Sequence, residues 1–509
     1  MGAWRWLVFP LLYAVYFVLT LAASNTSDLH GWHDLAWPLF MSVLVCLLCW
    51  LAALSWTKDR QKAALLALLW FVAFSVYGYV AESLRLSDVL RLIGSEGGLA
   101  ALFALAILGP SCAISRSPRR LEGVNQFATL VGLCLVAFTT VQLCLGLRGG
   151  HSRHAAPLPS VIPGRVPATQ RPDIYLIILD KYTGGELLQA HFGYDNSAFE
   201  GFLRSRGFVV PRSGQANYPQ TPLALASMLN LDYLQNLPHD VALYDLIENN
   251  RLARFLKQQG YRFVFFPTGF RVTWQNRNAD VQLPPPKEVR DEFAAVWQNT
   301  TMLPEILSGA CTLLGCEGGR FLVTAQAAGL MDWKFERLKD LSGGETPIFA
   351  LAHLSLPHEP FLYRADCSHR DLYWPAGAGV LGDQEADRGY LDQIQCANRK
   401  LAALIDSILA RSRRAPVILL QGDHGHGRIG RLPSSPDQVS AEQLRERMSA
   451  FAAYLLPGVP SAAVGDSITP VNALRLVLRE YLAADLPPLE DASYWGLENR
   501  PFDLVRIKW

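Results

Sequence analysis

The chain has almost no net charge. Its 509 residues carry 46 Lys and Arg against 45 Asp and Glu, a formal charge of +1. No broad electrostatic attraction to nucleic acid follows from that balance. Charged residues make up 18% of the chain. There is no internal repeat and no long low-complexity tract. Cysteine is sparse: nine residues, five of them in or near apolar runs where they read as packing groups. The other four, Cys311, Cys316, Cys367 and Cys396, allow two disulfides in an oxidising compartment. The simplest pairing is Cys311 with Cys316 and Cys367 with Cys396, and the alternative is four free thiols.

Apolar residues make up 50% of the chain, high for a soluble protein, and the excess sits in the first 150 residues. Runs of membrane-spanning length, about 20 residues, read as Trp6–Ala23, Leu35–Trp56, Ala63–Val80, Ile93–Leu108 and Phe127–Leu147. The fourth is interrupted by Glu96, Gly97 and Gly98. Several runs follow the first, which argues against a cleaved signal peptide. Lys58, Arg60 and Lys62 lie between the second and third runs, and Arg116, Arg119 and Arg120 between the fourth and fifth. The positive-inside rule puts both loops, and the amino terminus, in the cytoplasm. Five spans then place everything after Leu147 outside; if the fourth were not a span, the large domain would be cytoplasmic.

Residues 1–150 therefore read as a transmembrane domain and 151–171 as a linker rich in Pro, Gly and small residues. Residues 172–509 read as one large extracytoplasmic domain. In it, apolar strand-like runs (Ile174–Leu179, Arg262–Phe266, Ile348–Leu354, Val417–Gln421, Phe451–Leu456) alternate with helical patterns (Ala198–Arg206, Leu243–Gln259, Tyr390–Ala410, Val471–Leu482). Continuously apolar strands between helices predict an α/β domain, a mostly parallel sheet covered by helices on both faces.

Two of those strands end in a carboxylate. IYLIILD ends at Asp180, and VILLQGDHGHGRIG runs out of the core into Asp423, His424 and Gly425. Either each is a polar exit loop, or both carboxylates and His424 meet at the carboxyl edge of the sheet around a cation. In NYPQTPLALASMLN, Thr221 precedes Pro222 and an apolar helix. It is either the N-cap or a nucleophile whose developing negative charge the helix N-terminus favours. In HLSLPHEPF, His353 lies inside a strand and reads as a core group or one that supports a ligand. His358 lies just beyond the strand, either a surface histidine or a group that holds a phosphate or protonates a leaving group.

The order of these motifs resembles the alkaline phosphatase superfamily. The likeness is strongest to its membrane-anchored sulfatase-like branch, which includes lipoteichoic acid synthases and phosphoethanolamine transferases. It covers most of residues 172–485. The resemblance implies metal ligands at Asp180, Thr221, Asp423 and His424, with Thr221 also the nucleophile and His358 at the substrate phosphate. It implies one divalent metal, Mn2+ favoured over Zn2+ or Mg2+. It further implies transfer of a phosphoglycerol- or phosphoethanolamine-type headgroup from a phospholipid to an envelope glycan or lipid through a phospho-threonine, in a bacterial inner membrane. A phosphodiester hydrolase and a catalytically silent lipid-sensing or scaffold relative are the alternatives. Two departures stand out. The C-x-P-x-R sulfatase signature is absent, since Cys367 is followed by Ser368, His369 and Arg370; and Lys181 follows Asp180. A cation there would weaken a metal site or bind phosphate. Asp366, His369 and His426 are weaker candidates for a second metal, and Trp274 for a headgroup pocket.

Overall fold

The computed structural model describes residues 6–508 except 26–28, 30–31, 86–95, 118–120, 151–165, 168–169, 240–241, 269–270, 284–291, 315–320, 342–343, 371–382, 428–431, 434 and 498–499. The chain divides into two compact units.

In the first unit each expected apolar run is, over its described residues, almost wholly helical. The helices are α1 (Val8–Ser24), α2 (Ala36–Thr57), α3 (Arg60–Arg85), α4 (Glu96–Arg116) and α5 (Glu122–Gly150). Apolar stretches of 26, 22 and 24 residues at α2, α3 and α5 are long enough to cross a membrane, and α1 and the Ala101–Arg116 part of α4 are shorter. The start of the fourth expected run, Ile93, lies outside the described residues. Large apolar side chains such as Phe40, Leu51, Leu105, Phe127 and Phe138 point outward. In water that would be costly, and in hydrocarbon it is not.

The second unit holds a six-stranded sheet in the order β3-β2-β4-β1-β5-β6. Its strands are β1 (Ile174–Leu179), β2 (Arg262–Phe266), β3 (Val281–Gln282), β4 (Ile348–Leu354), β5 (Val417–Gly422) and β6 (Ala452–Leu455). All pairings are parallel except β5 with β6. A separate hairpin joins β7 (Tyr494–Leu497) and β8 (Arg500–Arg506). Every residue of β1, β4 and β5 is buried, which explains why these strands read as unbroken apolar runs rather than alternating ones.

The remaining helices are α6 (Gly185–Phe192), α7 (Ser197–Ser205), α8 (Thr221–Asn230), α9 (Leu243–Glu248), α10 (Arg251–Gln258), α11 (Glu292–Thr300), α12 (Leu303–Leu314), α13 (Phe321–Lys339), α14 (Asp383–Arg411), α15 (Ala441–Met448) and α16 (Pro470–Leu482). The single helix expected over Leu243–Gln259 is two. Asn250 leaves the helical region (φ −68°, ψ 152°) and its side chain accepts from the Ala253 N–H. Apolar periodicity passes through that break unchanged, whereas an Asn N-cap restarts the hydrogen-bond ladder. Cys367 and Cys396 form a disulfide, and Cys316 lies outside the described residues. Helices α11 and α12 interrupt the α/β sequence and pack within the first unit, beside α1–α5.

Candidate metal and nucleophile site

Strand β1 sits between β4 and β5, in register with both: Leu179 lies beside Leu354 on one side and Gly422 on the other. The residues that follow these strand ends must therefore emerge side by side. The Asp180 N–H donates to Leu354 O at 3.0 Å, and the Asp423 N–H approaches Leu179 O at 3.4 Å. Asp180, His353 and Asp423 converge, with one potential ligand atom of each within 4.8 Å of the others. His424 Nε2 lies 3.9 Å from Asp180 Oδ1 and 3.6 Å from Asp423 Oδ2. Thr221 Oγ1 is 3.2 Å from His424 Nε2. All five residues are buried.

The hydrogen bonds orient the cluster. Asp423 Oδ1 accepts the backbone N–H groups of His424 (2.8 Å) and Lys181 (3.1 Å). Asp423 Oδ2 and Asp180 Oδ1 are buried with no hydrogen-bond donor. Carboxylate oxygens buried in one cluster without a donor are costly unless a cation or a proton lies among them. His424 Nδ1 is 2.9 Å from Gly425 O. A carbonyl only accepts, so the proton is on Nδ1 and the Nε2 lone pair faces Thr221 and Asp180. His353 Nε2 is 3.4 Å from Asp180 Oδ2, and its Nδ1 is 2.8 Å from Thr273 Oγ1. The donor set of carboxylate oxygens and imidazole nitrogen fits a divalent cation such as Mn2+ or Zn2+.

The charges agree with that geometry. Burial, followed by the Asp180 charge, pushes the Asp423 carboxyl up to about 7. Burial would also raise Asp180, but the nearby His358 and the hydrogen-bonding His353 outweigh it and hold its carboxyl below the usual range. Burial holds the His424 imidazole well below 6.5 and hence neutral, the form that binds metals.

Thr221 is the first residue of α8, and the N-cap is Gln220, which makes no side-chain capping bond. Its hydroxyl is thus not spent on the helix and faces His424. Gly425 is required for space rather than for an unusual φ. A Cβ there would lie 2.0 Å from Glu446 O and 2.4 Å from Ser449 O, at the end of α15. That approach lets the Gly425 N–H donate to Arg447 O at 2.8 Å.

Lys181 does not point at the carboxylates. Its Nζ is 2.8 and 3.0 Å from the Glu359 carboxylate, and the two side chains are only 14% and 9% exposed. Burial works against the Glu359 charge, but His358 and Lys181 outweigh it and keep it ionised. Removing one partner strands a buried charge, whereas removing both does not. Lys181→Met is therefore expected to cost about 3–5 kcal/mol, and Lys181→Met/Glu359→Met to recover most of that loss. Denaturant unfolding of the two variants and the wild type measures it.

His358 is partly exposed and approaches Glu359 Oε2 at 3.4 Å through Nδ1. His426 is buried and stacks on Tyr390 at 4.1 Å. His369 pairs with Asp332 at 2.9 Å, and Asp366 bonds Ser368; neither is in the cluster. Trp274 is half-buried beside Thr273. One residue expected only as a core or supporting group joins the site, and one was not anticipated. His353 lies with the carboxylates because β4 neighbours β1, a strand order that no local pattern encodes. Arg447, buried on α15, donates to Pro219 O (2.7 Å) and His426 O (3.1 Å), tying the segment before Thr221 to the one after His424. Its only sequence signal is a basic residue on a short polar helix.

Fold and site together define an α/β domain with a buried carboxylate–histidine–threonine centre at the carboxyl edge of a parallel sheet, in a chain that also carries a bundle of apolar helices. No protein-family model and no curated protein matches the chain. Solved structures similar to it include the C-terminal periplasmic domain of EcEptC from Escherichia coli (13% identity, 69% of this chain and 96% of that chain, TM-score 0.45). Another is the integral membrane protein lipooligosaccharide phosphoethanolamine transferase A from Neisseria meningitidis (12% identity, 94% and 95%, TM-score 0.41). A third is the C-terminal periplasmic domain of phosphoethanolamine transferase EptC from Campylobacter jejuni (13% identity, 60% and 88%, TM-score 0.39). These likenesses are distant, and the functional reading rests on this chain's own residues.

Proposed function

We propose that this chain is a membrane-anchored, metal-dependent phosphotransferase. In this reading it moves a phosphoglycerol- or phosphoethanolamine-type headgroup from a phospholipid to an envelope glycan or lipid, on the outer side of a bacterial inner membrane. One observation carries the reading: the Thr221 hydroxyl, at the start of a helix, lies 3.2 Å from the unprotonated nitrogen of a histidine that shares its pocket with two under-satisfied carboxylates.

Asp180, Asp423, His424 and Thr221 would hold the metal, with His353 beside Asp180. Bound there, a divalent cation favours the alkoxide of a hydroxyl and offsets charge on phosphate oxygens. Thr221 Oγ attacks the phosphorus of the headgroup phosphodiester and gives up its proton. The phosphorus–oxygen bond to the diacylglycerol breaks, and that oxygen leaves as an alcohol after taking a proton, the role this reading gives to the partly exposed His358. The headgroup phosphate is then an ester of Thr221. An acceptor hydroxyl attacks it in turn, loses its proton, and frees Thr221. The α8 N-terminus favours the negative charge on Thr221 Oγ throughout.

The test uses the full chain in nanodiscs containing phosphatidylethanolamine or phosphatidylglycerol, loaded with Mn2+ or Zn2+ and given no acceptor. The expected result is up to one diacylglycerol released per chain. The peptide spanning Thr221 should gain the matching headgroup-phosphate mass, and elemental analysis should find about one metal per chain. No specific metal and no mass gain in folded protein would overturn the reading in favour of a silent lipid-sensing relative. Continuous release of free headgroup phosphate would make it a hydrolase.

A further inference from the structure

The first unit contains a cavity of about 190 Å³ that the catalytic reading does not use. Its walls come from one end of α1 (Tyr16, Thr20, Ser24), from α3 (Ser75, Tyr79) and from Trp297, Thr300 and Thr301 in and after α11. By the loop charges, this is the outer end of the apolar helices. Helix α11 is held there firmly. The Met302 N–H donates to Phe74 O at 2.9 Å, and Trp297 meets Trp37 edge-on at 5.2 Å. Gly78 makes the approach possible, since a Cβ there would lie 2.1 Å from Asn299 O.

The lining has a definite chemistry. Among the described residues it is rich in hydroxyls set among aromatic and aliphatic groups, and it contains no Lys, Arg, His, Asp or Glu. Thr20 Oγ1 is buried with no hydrogen-bond partner. A phosphate would find no countercharge among these residues, and a bare hydrocarbon chain would leave Thr20 Oγ1 unsatisfied. The glycerol–ester segment of a lipid answers both conditions: an ester carbonyl can accept from Thr20 Oγ1 and its chain stubs lie against aromatic rings. The volume suits that segment and not a whole lipid, being little larger than a cavity that admits one benzene.

We infer that this cavity binds the glycerol–ester segment of a glycerolipid and is blind to its headgroup. A site of that kind holds a phospholipid and the diacylglycerol left after headgroup removal about equally. The inference rests on α1–α5 being membrane spans and does not depend on phosphotransfer.

The test uses the full chain in nanodiscs with a trace of a phosphatidylethanolamine analogue carrying a diazirine beside the ester. Crosslinks are expected to concentrate on peptides containing residues 16–24, 75–79 and 297–301. Unlabelled phosphatidylethanolamine, phosphatidylglycerol and diacylglycerol should compete within about twofold of one another. Ser75→Phe, which fills the cavity, and Gly78→Val, which displaces α11, should each lower that labelling about fivefold or more. Labelling near Leu105 and Phe138 on the outward faces should not change. Uniform labelling of all outward faces that ignores both variants, or strong preference for one headgroup, would overturn the inference. Because the readout is labelling and not turnover, pocket labelling in a chain that transfers nothing would sink the phosphotransfer reading alone.

Discussion

With its metal removed, the protein is expected to become more stable when Asp423 is replaced by Asn. In the metal-free state the Asp423 carboxyl stands at about 7 because burial and the Asp180 charge disfavour its ionisation. Its unfolded value is ~3.9. Between those values the folded chain binds more protons than the unfolded chain, so stability falls as pH rises from about 4 to about 7 and stays low above that. At pH 8 the penalty is on the order of 4 kcal/mol, and Asp423→Asn removes it while keeping an acceptor for the Lys181 and His424 N–H groups. At pH 4 wild type and variant should unfold alike. Added metal reverses the order: at about 1,000 times its dissociation constant it stabilises wild type by ~4 kcal/mol and leaves the variant unchanged. Thermal unfolding of the full chain at both pH values, with chelator and with Mn2+ or Zn2+, measures all of this. A chelated variant less stable than wild type at pH 8 would mean that the two carboxylates do not repel across an empty cation site.

The second large effect concerns Thr221. Thr221→Ala keeps the helix start, because the N-cap is Gln220 and Thr221 makes no capping bond. Folding should be nearly unaffected. Headgroup transfer, however, should fall by about 10³-fold or more, since the attacking group is lost. Metal content should persist, held by Asp180, Asp423 and His424. Thr221→Ser should retain measurable transfer and carry the headgroup mass on the serine, at a lower rate because the hydroxyl loses the rotamer restraint of the β-branch. Single-turnover kinetics with tandem mass spectrometry separates these cases. Transfer by Thr221→Ala within tenfold of wild type would remove Thr221 from the chemistry.

Much of this protein is legible without coordinates. The apolar helices, the fully buried strands and the α/β alternation follow from composition and period alone, because burial on both faces of a sheet forces unbroken apolar runs. Asp180 and Asp423 stand out for the same reason: a carboxylate that ends such a run must leave the core at a strand end. Thr221 beside Pro222 marks a helix start in any context. The Leu243–Gln259 pattern misleads because apolar spacing continues across Asn250, and only the backbone turn breaks the helix.

Strand order could not be read. Parallel strands need long crossovers, so neighbours in the sheet are distant in sequence, and nothing local says that β4 and β5 flank β1. That order brings Asp180, His353 and Asp423 within 4.8 Å, turns His353 from a core residue into a member of the cluster, and leaves two carboxylate oxygens without donors. The fate of Lys181 was equally hidden, since its charge could be assigned only once Glu359, 178 residues away, was seen to accept it. The return of α11 to the apolar helices belongs with these: Gly78 reads as an ordinary helix glycine until Asn299 O is found where a side chain would stand. The sequence by itself determined which residues could form strands, spans and strand-end ligands, because those depend on local burial and period. The tertiary structure decided which of them meet, because contacts between distant segments are set by the sum of packing over the whole domain.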